Sequence, residues 1–340
     1  MSQPKRDKSK SKAVIYLEYA FFAVLWRILE LLPMRWASAF AAALTKLLFF
    51  IDVKHARRTV RHIMYAGVET DPRKAGKMAV ASFGEFGKLL AEIVKMPQMY
   101  GPGCMKVSAP ENTLRIISPE LNPGSRQIIL AVAHYGNWEV AGTAFAEYTK
   151  TPMSSLMRPF ANPLIGERIL SSRRGGMHEV IDKNLGLRPI LRAMNDGRII
   201  TVLVDQHAMS GEGVEVEFFG HPARMHMTPA LLHLKSGIPI VPEITRRVSD
   251  GFEFDFMFGE PIVHKPTGDK KRDIYEITQK IADELEELIR RDPVQWLWAP
   301  RHWLSIERRN SEAYAGWKRP VFDGNSADPA KEVTDEQRKN

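Results

Sequence analysis

The sequence is poor in cysteine: Cys104 is the single cysteine among 340 residues. One cysteine excludes an internal disulfide framework and says nothing about an oxidising compartment. A G-x-S-x-G nucleophile elbow, a Walker loop and a complete G-x-G-x-x-G motif are also missing from the sequence. The sequence therefore gives no support to an elbow-type serine hydrolase, a P-loop nucleotidase or a dinucleotide-binding enzyme.

Metal-binding patterns are equally sparse. His207, His221 and His226 raise the question of a metal, but no two of them have the four-residue helical spacing of a zincin. We therefore expect no metal ion. The formal net charge of +8 favours an anionic partner, which could be nucleic acid, an acidic lipid surface or a phosphorylated substrate. Since no nucleic-acid recognition motif accompanies the charge, nucleic acid is not an expected partner.

Two apolar segments near the N-terminus, residues 13–32 and 36–51, indicate association with a membrane. Glu18, Arg27 and Glu30 interrupt the first segment, and a spanning helix tolerates central charges poorly. A basic flank and several aromatic side chains suit a helix that lies in the membrane interface or dips into it. The alternative is a pair of core helices in a soluble bundle. The basic residues that follow would suit anionic headgroups: Lys54, His55, Arg57, Arg58, Arg61 and His62.

Most of the remaining chain alternates between short strands and helices. Strands are predicted at residues 114–118, 127–133, 153–157, 178–181, 199–204, 239–245 and 252–258. Helices are predicted at residues 71–96, 137–149, 163–172, 187–195, 228–236 and 273–291. Strands joined by crossover helices predict an α/β fold with a mostly parallel central sheet covered by helices.

This pattern divides the chain into four parts. Residues 1–52 carry the basic N-terminus and the membrane-associated helices, and residues 53–110 form a helical cover and a linker rich in proline and glycine. Residues 111–320 form the α/β domain. Residues 321–340 are polar and are predicted to be disordered.

The strand predicted at 127–133 leads directly to a chemically suggestive turn. His134 follows the strand, Gly136 allows a turn, Asn137 is a good N-cap for the next helix, and Glu139 lies in the first turn of that helix. A carboxylate held against one imidazole nitrogen would let the other nitrogen take a proton from a hydroxyl group. His134 and Glu139 therefore form a candidate general-base dyad. The alternative is that Glu139 complements the helix dipole and His134 is an ordinary turn residue.

Charged residues follow several other predicted strands and helices. Ligands bind at the carboxyl ends of strands in an α/β sheet, so arginines there could hold phosphate or carboxylate groups. Asp205 could contact substrate or could orient an arginine, and structural pairing is as strong an explanation as substrate contact. For any one arginine, a favourable place at a helix C-terminus is the simpler explanation. The candidate substrate-binding residues are Arg158, Arg173, Arg174, Asp205 and Arg224.

Taken together, these segments resemble the lysophospholipid acyltransferase superfamily, and more closely its lipid A lauroyl/myristoyl acyltransferase branch. The resemblance covers roughly residues 15–310, and the E-G-T-R phosphate block of glycerophosphate-type relatives is missing. The matching blocks, in chain order, are H-x-G-N-W-E at 134–139, R-P-x-x-N-P at 158–163, the arginine pair at 173–174, V-D-Q at 204–206, F-F-G-x-P-A at 218–223, G-I-P-I-V-P at 237–242 and W-L-W-A-P-R-H-W at 296–303.

The resemblance implies a glycerolipid acyltransferase-like fold and an enzyme on the cytoplasmic face of a bacterial inner membrane. It would move a fatty acyl chain from acyl carrier protein, or from coenzyme A, to a hydroxyl of a lipid A precursor, without a cofactor. His134 would act as the general base, Glu139 would hold its ring, and the backbone near Gly136 and Asn137 would stabilise the oxyanion. The arginines would bind anionic parts of the acceptor.

Three alternatives remain open on the sequence alone. The acceptor could be another lipid, such as a mannosylated phosphoinositide or an aminolipid. The dyad could activate water in a membrane-bound hydrolase, with a metal held through His207 or His221. The protein could also be a basic membrane adaptor without catalytic activity.

Overall fold

A group of four helices precedes the sheet. The computed structural model describes residues 11–99, 101–118, 127–171 and 177–306. The four helices are α1 (Lys12–Leu31), α2 (Met34–Ile51), α3 (Val53–Tyr65) and α4 (Pro72–Met99). α2 packs closely along α4, because Gly87 brings the α4 backbone against α2: a Cβ atom at this position would lie 2.4 Å from the carbonyl oxygen of Ala41. Within the described ranges, α2 is the one helix with the length and apolar composition to cross a membrane, and a third of it is buried against the protein.

A seven-stranded sheet forms the centre of the protein, and a separate hairpin lies beside it. The strands are β1 (Met105–Ser108), β2 (Ile129–Gly136), β3 (Met153–Met157), β4 (His178–Asp182), β5 (Ile199–Leu203), β6 (Gly213–Phe218), β7 (His221–His226), β8 (Ile240–Ser249) and β9 (Glu253–Phe258). The sheet has the order β1-β9-β8-β2-β5-β3-β4, and β6 pairs with β7 in the hairpin. All neighbours in the sheet are parallel except β8 and β9. The predicted fold class, a mostly parallel α/β sheet, is therefore confirmed.

Helices cover both faces of this sheet. They are α5 (Glu111–Ile117), α6 (Trp138–Thr149), α7 (Pro163–Ser171), α8 (Leu187–Asn195), α9 (Thr228–Ser236) and α10 (Lys270–Arg290). Successive side chains of a strand point to opposite faces. Ala131 of β2 therefore joins the core that includes α8, α9 and α10, whereas Leu130 and Val132 join the core formed with α6. Fully buried strands of this kind read as continuous apolar runs.

Two predictions about the segment before β2 are wrong. Residues 114–118 form the end of α5 and not a strand, because Thr113 and Ile117, four residues apart, are buried on one helical face. A side-chain ion pair between Glu111 and Arg115 has the same four-residue spacing. The proline- and glycine-rich linker that the sequence predicts after the helix at 71–96 contains strand β1, and α4 continues through Pro97 to Met99. The domain boundaries remain predictions, and the predicted disordered tail lies outside the described residues.

Candidate active site

His134 lies next to Asp205 at the carboxyl ends of two central strands of the sheet. β2 and β5 are parallel neighbours, and His134 stands near the carboxyl end of β2, while Asp205 follows the end of β5. The Nδ1 atom of His134 is 2.6 Å from Oδ1 of Asp205. The backbone N–H of His134 donates to Oδ2 of the same carboxylate at 3.0 Å. Two residues 71 positions apart thus form one hydrogen-bonded pair.

The Asp205 carboxylate is ionised despite its burial. Burial by itself would raise the pKa of Asp205, but attraction to His134 and the hydrogen bonds from His134 and Trp296 outweigh it and lower the pKa to about 2. An ionised carboxylate can only accept hydrogen bonds. Nδ1 of His134 must therefore carry the hydrogen, and in the neutral ring Nε2 has the free lone pair. The His134 side chain is 16% exposed, so a substrate hydroxyl can reach it.

This arrangement differs from the dyad predicted from the sequence. The carboxylate at Nδ1 belongs to Asp205, which the sequence suggested as a substrate-binding or arginine-orienting residue, and not to Glu139. Glu139 lies in the first turn of α6, as predicted, and its side chain lines a cleft under that helix. The local spacing identified His134 correctly as a strand-end residue but could not show which strand lies beside β2.

The turn between β2 and α6 is fixed by two residues. Gly136 has φ +53°, and a Cβ atom there would lie 2.0 Å from the carbonyl oxygen of Thr245 on β8. Asn137 is the N-cap of α6, and its side-chain oxygen accepts from the backbone N–H groups of Glu139 and Val140. The backbone N–H of Asn137 donates to the Thr245 carbonyl at 3.1 Å. Because that N–H is engaged within the protein, it does not point toward a substrate oxyanion.

A buried ion network holds this turn against α4. The side-chain amide of Asn137 donates to Glu92 at 2.9 Å. Glu92 also accepts two hydrogen bonds from Arg247 of β8, and Arg247 donates a further one to Glu85 of α4. Burial by itself would lower the pKa of Arg247, but attraction to Glu92 and Glu85 outweighs it and raises the pKa. The helical cover is thus tied to the residue that begins α6.

Residues 296–303, which we call the tryptophan segment, close the other side of the pair. The indole N–H of Trp296 donates to Oδ2 of Asp205 at 2.8 Å, and His302 forms a hydrogen bond with the Asp205 carbonyl oxygen at 2.8 Å. The backbone N–H of Leu297 donates to the His134 carbonyl at 2.9 Å. In the sequence, the block W-L-W-A-P-R-H-W carries only part of the family resemblance. The contacts of the tryptophan segment show that it supports the His134–Asp205 pair.

An apolar cleft opens beside His134, between α6 and the sheet. The ring of Trp138, which lines the cleft, lies 5.1 Å from the ring of His134 in an edge-to-face arrangement. The cleft is narrow, with a cavity volume of about 40 Å³. Most of its lining is aliphatic or aromatic, and the polar exceptions are Glu139, Ser155, His178, Thr201 and Glu243.

The predicted arginines do not all converge on this pair. Arg158 follows β3, is half exposed and lies 3.3 Å from Glu212, which also pairs with Lys183. Arg224 pairs with Glu215 across the β6–β7 hairpin at 2.7 Å. Both residues therefore have carboxylate partners of their own. Arg173 and Arg174 lie outside the described residues.

A second concave surface carries only cationic and apolar side chains. The residues that line it, which we call the basic pocket, are Val53, Lys54, Arg57, Arg58, Arg61 and Arg301. Arg58 is buried and donates to the carbonyl oxygen of Ala299, so the pocket borders the tryptophan segment. Close-packed cations of this kind favour a polyanionic ligand.

Within the described ranges, no three His, Cys, Asp or Glu side chains are grouped so as to hold a metal ion. His221, one of the histidines considered as a ligand, stacks on Tyr65 with 3.6 Å between ring centroids. Its Nε2 atom lies 2.6 Å from the Tyr65 carbonyl oxygen. His221 is therefore engaged in joining the hairpin to α3.

The fold and the site define an α/β protein with a histidine that is oriented by a buried aspartate and lies beside an apolar cleft. Such a site suits proton abstraction from a ligand that has an apolar part. The sequence matches the family described as "Bacterial lipid A biosynthesis acyltransferase" over residues 4–305, and the chain belongs to that family.

The similar curated proteins are phosphatidylinositol mannoside acyltransferases. The one from Mycobacterium tuberculosis is 27% identical over 183 residues, which cover 52% of this chain and 54% of the relative. The one from Mycolicibacterium smegmatis is 27% identical over 191 residues, which cover 54% of this chain and 60% of the relative. The matched region thus spans little more than half the length of these relatives.

Proposed function

We propose that the protein is an O-acyltransferase that moves a fatty acyl chain from a thioester donor to a hydroxyl of a membrane glycolipid of the lipid A precursor type. The observation that carries this proposal is the buried Asp205 carboxylate on Nδ1 of His134, which leaves Nε2 as the proton acceptor. Family membership supports the choice of acyl transfer over hydrolysis.

The reaction would proceed by direct transfer. Nε2 of His134 takes the proton of the acceptor hydroxyl as its oxygen attacks the thioester carbonyl carbon. Asp205 stabilises the imidazolium that forms, because its negative charge lies against Nδ1–H. The tetrahedral intermediate then collapses, the carbon–sulfur bond breaks, and the departing thiolate takes the proton back from Nε2. Neither a covalent acyl-enzyme nor a cofactor is required.

The cleft under α6 is the proposed site for the acyl chain, and because it is narrow its lining side chains must move apart to admit the chain. It opens beside His134 through Trp138, and its floor consists of apolar side chains of the sheet, including Leu130, Val132 and Phe256. Burial of apolar surface drives the binding of such a chain. Glu139 lines the same cleft and is retained as a candidate catalytic residue.

The donor and the membrane are the proposed partners. A basic surface suits the acidic acyl carrier protein, with acyl coenzyme A as the alternative donor, and the basic pocket supplies five cationic side chains for either. Apolar side chains of α1 and α2 remain exposed, among them Phe21, Trp36 and Phe50. Exposed apolar surface next to basic residues favours a location on the cytoplasmic face of the bacterial inner membrane.

The acceptor has two candidates. The family description favours a lipid A precursor, whereas the similar curated proteins are named for phosphatidylinositol mannosides. Both candidates are anionic glycolipids with free hydroxyls. Arg158 and Arg224, together with Arg173 and Arg174, are the proposed contacts for their phosphate groups.

The test is acyl transfer by the purified full chain from labelled acyl carrier protein and from labelled acyl coenzyme A. Each donor is offered with a lipid A precursor and with a mannosylated phosphoinositide. The variants are His134→Ala, Glu139→Ala and Asp205→Asn, with Asp196→Asn as the matched control because Asp196 is exposed at the end of α8.

Asp205→Asn has a specific expected effect. Oδ2 of Asp205 faces two donors, the His134 backbone N–H and the Trp296 indole N–H, so the single oxygen of asparagine must take that position. The asparagine NH₂ then faces Nδ1 of His134 and forces the ring hydrogen onto Nε2. We expect a fall in kcat of about 10²- to 10⁴-fold, with Asp196→Asn unchanged. Wild-type transfer by Asp205→Asn would refute the general-base mechanism, and the labelled product identifies the acceptor.

A further inference from the structure

The apolar cleft contains a carboxyl group that the proposed chemistry does not use. Glu243 lies on β8 opposite Val132 of β2 and is 1% exposed. Its Oε1 atom accepts a hydrogen bond from the Thr245 hydroxyl at 2.6 Å. Its Oε2 atom is buried and, within the described part of the chain, has no hydrogen-bond partner. The side chain is one of those that line the cleft.

A cleft that binds only an apolar ligand does not require a carboxyl group at position 243. Leu130, Val132, Leu203 and Phe256 present apolar surface to the same cleft, and a leucine in place of Glu243 would complete it. An unpartnered carboxyl in such a wall costs stability, because its hydration is lost and no hydrogen bond replaces it. Buried polar groups left without a partner in the protein are commonly satisfied by a ligand or a water molecule.

A second polar group lies deeper in the same cleft. The hydroxyl oxygen of Thr201 on β5 is also buried and has no hydrogen-bond partner within the described ranges. Thr201 lies opposite Leu130, whereas Glu243 lies opposite Val132. Because strands rise about 3.3 Å per residue, Thr201 lies about 7 Å before the level of Glu243 along the sheet, on the side away from His134. The two groups thus mark two depths of one cleft.

We propose that Glu243 forms a polar subsite that binds a hydroxyl group on the acyl chain, so that the preferred donor is a hydroxyacyl thioester. The proposal rests on the proposed function in that the cleft receives the acyl chain. Because the Glu243 subsite lies near His134, the hydroxyl belongs to the part of the acyl chain close to the thioester.

The Glu243 carboxyl can both donate a hydrogen bond to a ligand hydroxyl and accept one from it. Burial raises the pKa of Glu243 to about 7, so about half of the groups are protonated at neutral pH and most are protonated below it. A protonated carboxyl donates one hydrogen bond and accepts others, which matches a hydroxyl that also does both. An unsubstituted chain leaves the group unsatisfied, and a site built for a hydroxyl discriminates against the analogue that lacks it. For one neutral hydrogen bond we expect about tenfold discrimination.

The proposal is tested by the preference between two donors. The ratio of kcat/KM for 2- or 3-hydroxytetradecanoyl donors to kcat/KM for the tetradecanoyl donor is measured for the wild type, Glu243→Gln, Glu243→Leu and Phe256→Leu. Phe256→Leu is the matched control, because it changes the size of the cleft and leaves its polarity unchanged. Far-UV circular dichroism verifies that each variant is folded.

We expect the wild type to prefer one hydroxyacyl donor about tenfold. Glu243→Leu should abolish the preference, Glu243→Gln should keep most of it because the amide still forms hydrogen bonds, and Phe256→Leu should keep it in full. A wild type without preference, or a preference that survives Glu243→Leu, overturns the proposal. The second result would mean that Glu243 is structural or holds a water molecule.

A binding measurement separates this proposal from the reaction itself. Quenching of tryptophan fluorescence, to which Trp138 in the cleft contributes, reports the affinity for 3-hydroxytetradecanoate, 2-hydroxytetradecanoate and tetradecanoate. A hydroxyl preference that Glu243→Leu removes supports the subsite even if acyl transfer fails with every donor. Equal affinities in the wild type count against the subsite even if transfer succeeds.

Discussion

Replacing Glu243 with glutamine should make the protein more stable at alkaline pH and leave its stability in acid unchanged. Burial raises the pKa of Glu243 from the ordinary 4.5 to about 7, and the hydrogen bond from Thr245 opposes this only in part. Between these two pH values the folded protein keeps the proton that the unfolded chain has lost. The contribution of Glu243 to the free energy of unfolding therefore falls as pH rises from 4.5 to 7 and is level above that range.

The size of the effect follows from the same two values. Each pH unit between 4.5 and about 7 corresponds to about 1.4 kcal/mol, so Glu243 alone lowers the stability of the wild type by about 3 kcal/mol across the range. Glutamine has nearly the same shape as glutamate and no charge. The Glu243→Gln protein therefore does not lose this stability as the pH rises. The other titratable side chains of the cleft, Glu139 and His178, are present in both proteins and cancel in the comparison.

Urea unfolding followed by tryptophan fluorescence at about pH 4.5, 6 and 8 measures this difference. The variant should match the wild type at the lowest pH and exceed it by up to about 3 kcal/mol at the highest. Glu111→Gln removes a charge from an exposed position and should shift both ends of the curve by less than about 0.5 kcal/mol. Parallel pH curves for Glu243→Gln and the wild type would refute the argument that the carboxyl is buried and protonated.

Two further substitutions test the framework around His134. Gly136→Ala should destabilise the protein by more than about 2 kcal/mol, since φ is +53° and a Cβ atom would lie 2.0 Å from a backbone oxygen; an unchanged Tm would contradict this geometry. Arg247→Met should cost about 3–5 kcal/mol, because it leaves Glu92 buried without its cation. The double substitution with Glu92→Leu should recover part of that loss in urea unfolding, because the Asn137 amide then lacks its acceptor, and no recovery would mean that the ion pair is not the cause.

Local patterns predicted much of the fold. The bounds of β3, α8 and α9 agree with the structure to the residue, because each has a clear apolar pattern between strong breakers such as Gly186 and Gly237. The segment at 114–118 was misassigned because its apolar residues fit a short strand and a short helix equally well. In the helix, Thr113 is buried and donates to the carbonyl oxygen of Gly259, which follows β9 and lies 146 residues away in the sequence. No local pattern contains that contact.

The candidate site was predictable only in its parts. His134 and Asp205 were both placed after strands, and polar residues at strand ends are where an α/β sheet binds ligands. Their pairing depends on the order β8-β2-β5, which no local pattern contains. The proximity of Glu139 in sequence was therefore a weaker guide than the adjacency of two parallel strands.

The order of the strands also explains why the support for His134 comes from distant segments. The neighbouring strands hold the turn at His134 through Thr245 and Asp205, and two elements that cross the carboxyl ends of the strands add further support. One of these is α4, which reaches Asn137 through Glu92, and the other is the tryptophan segment, which reaches Asp205 through Trp296. Because both supports hold the pair through buried hydrogen bonds, the histidine is oriented before any substrate binds, and little reorganisation is left for the reaction itself.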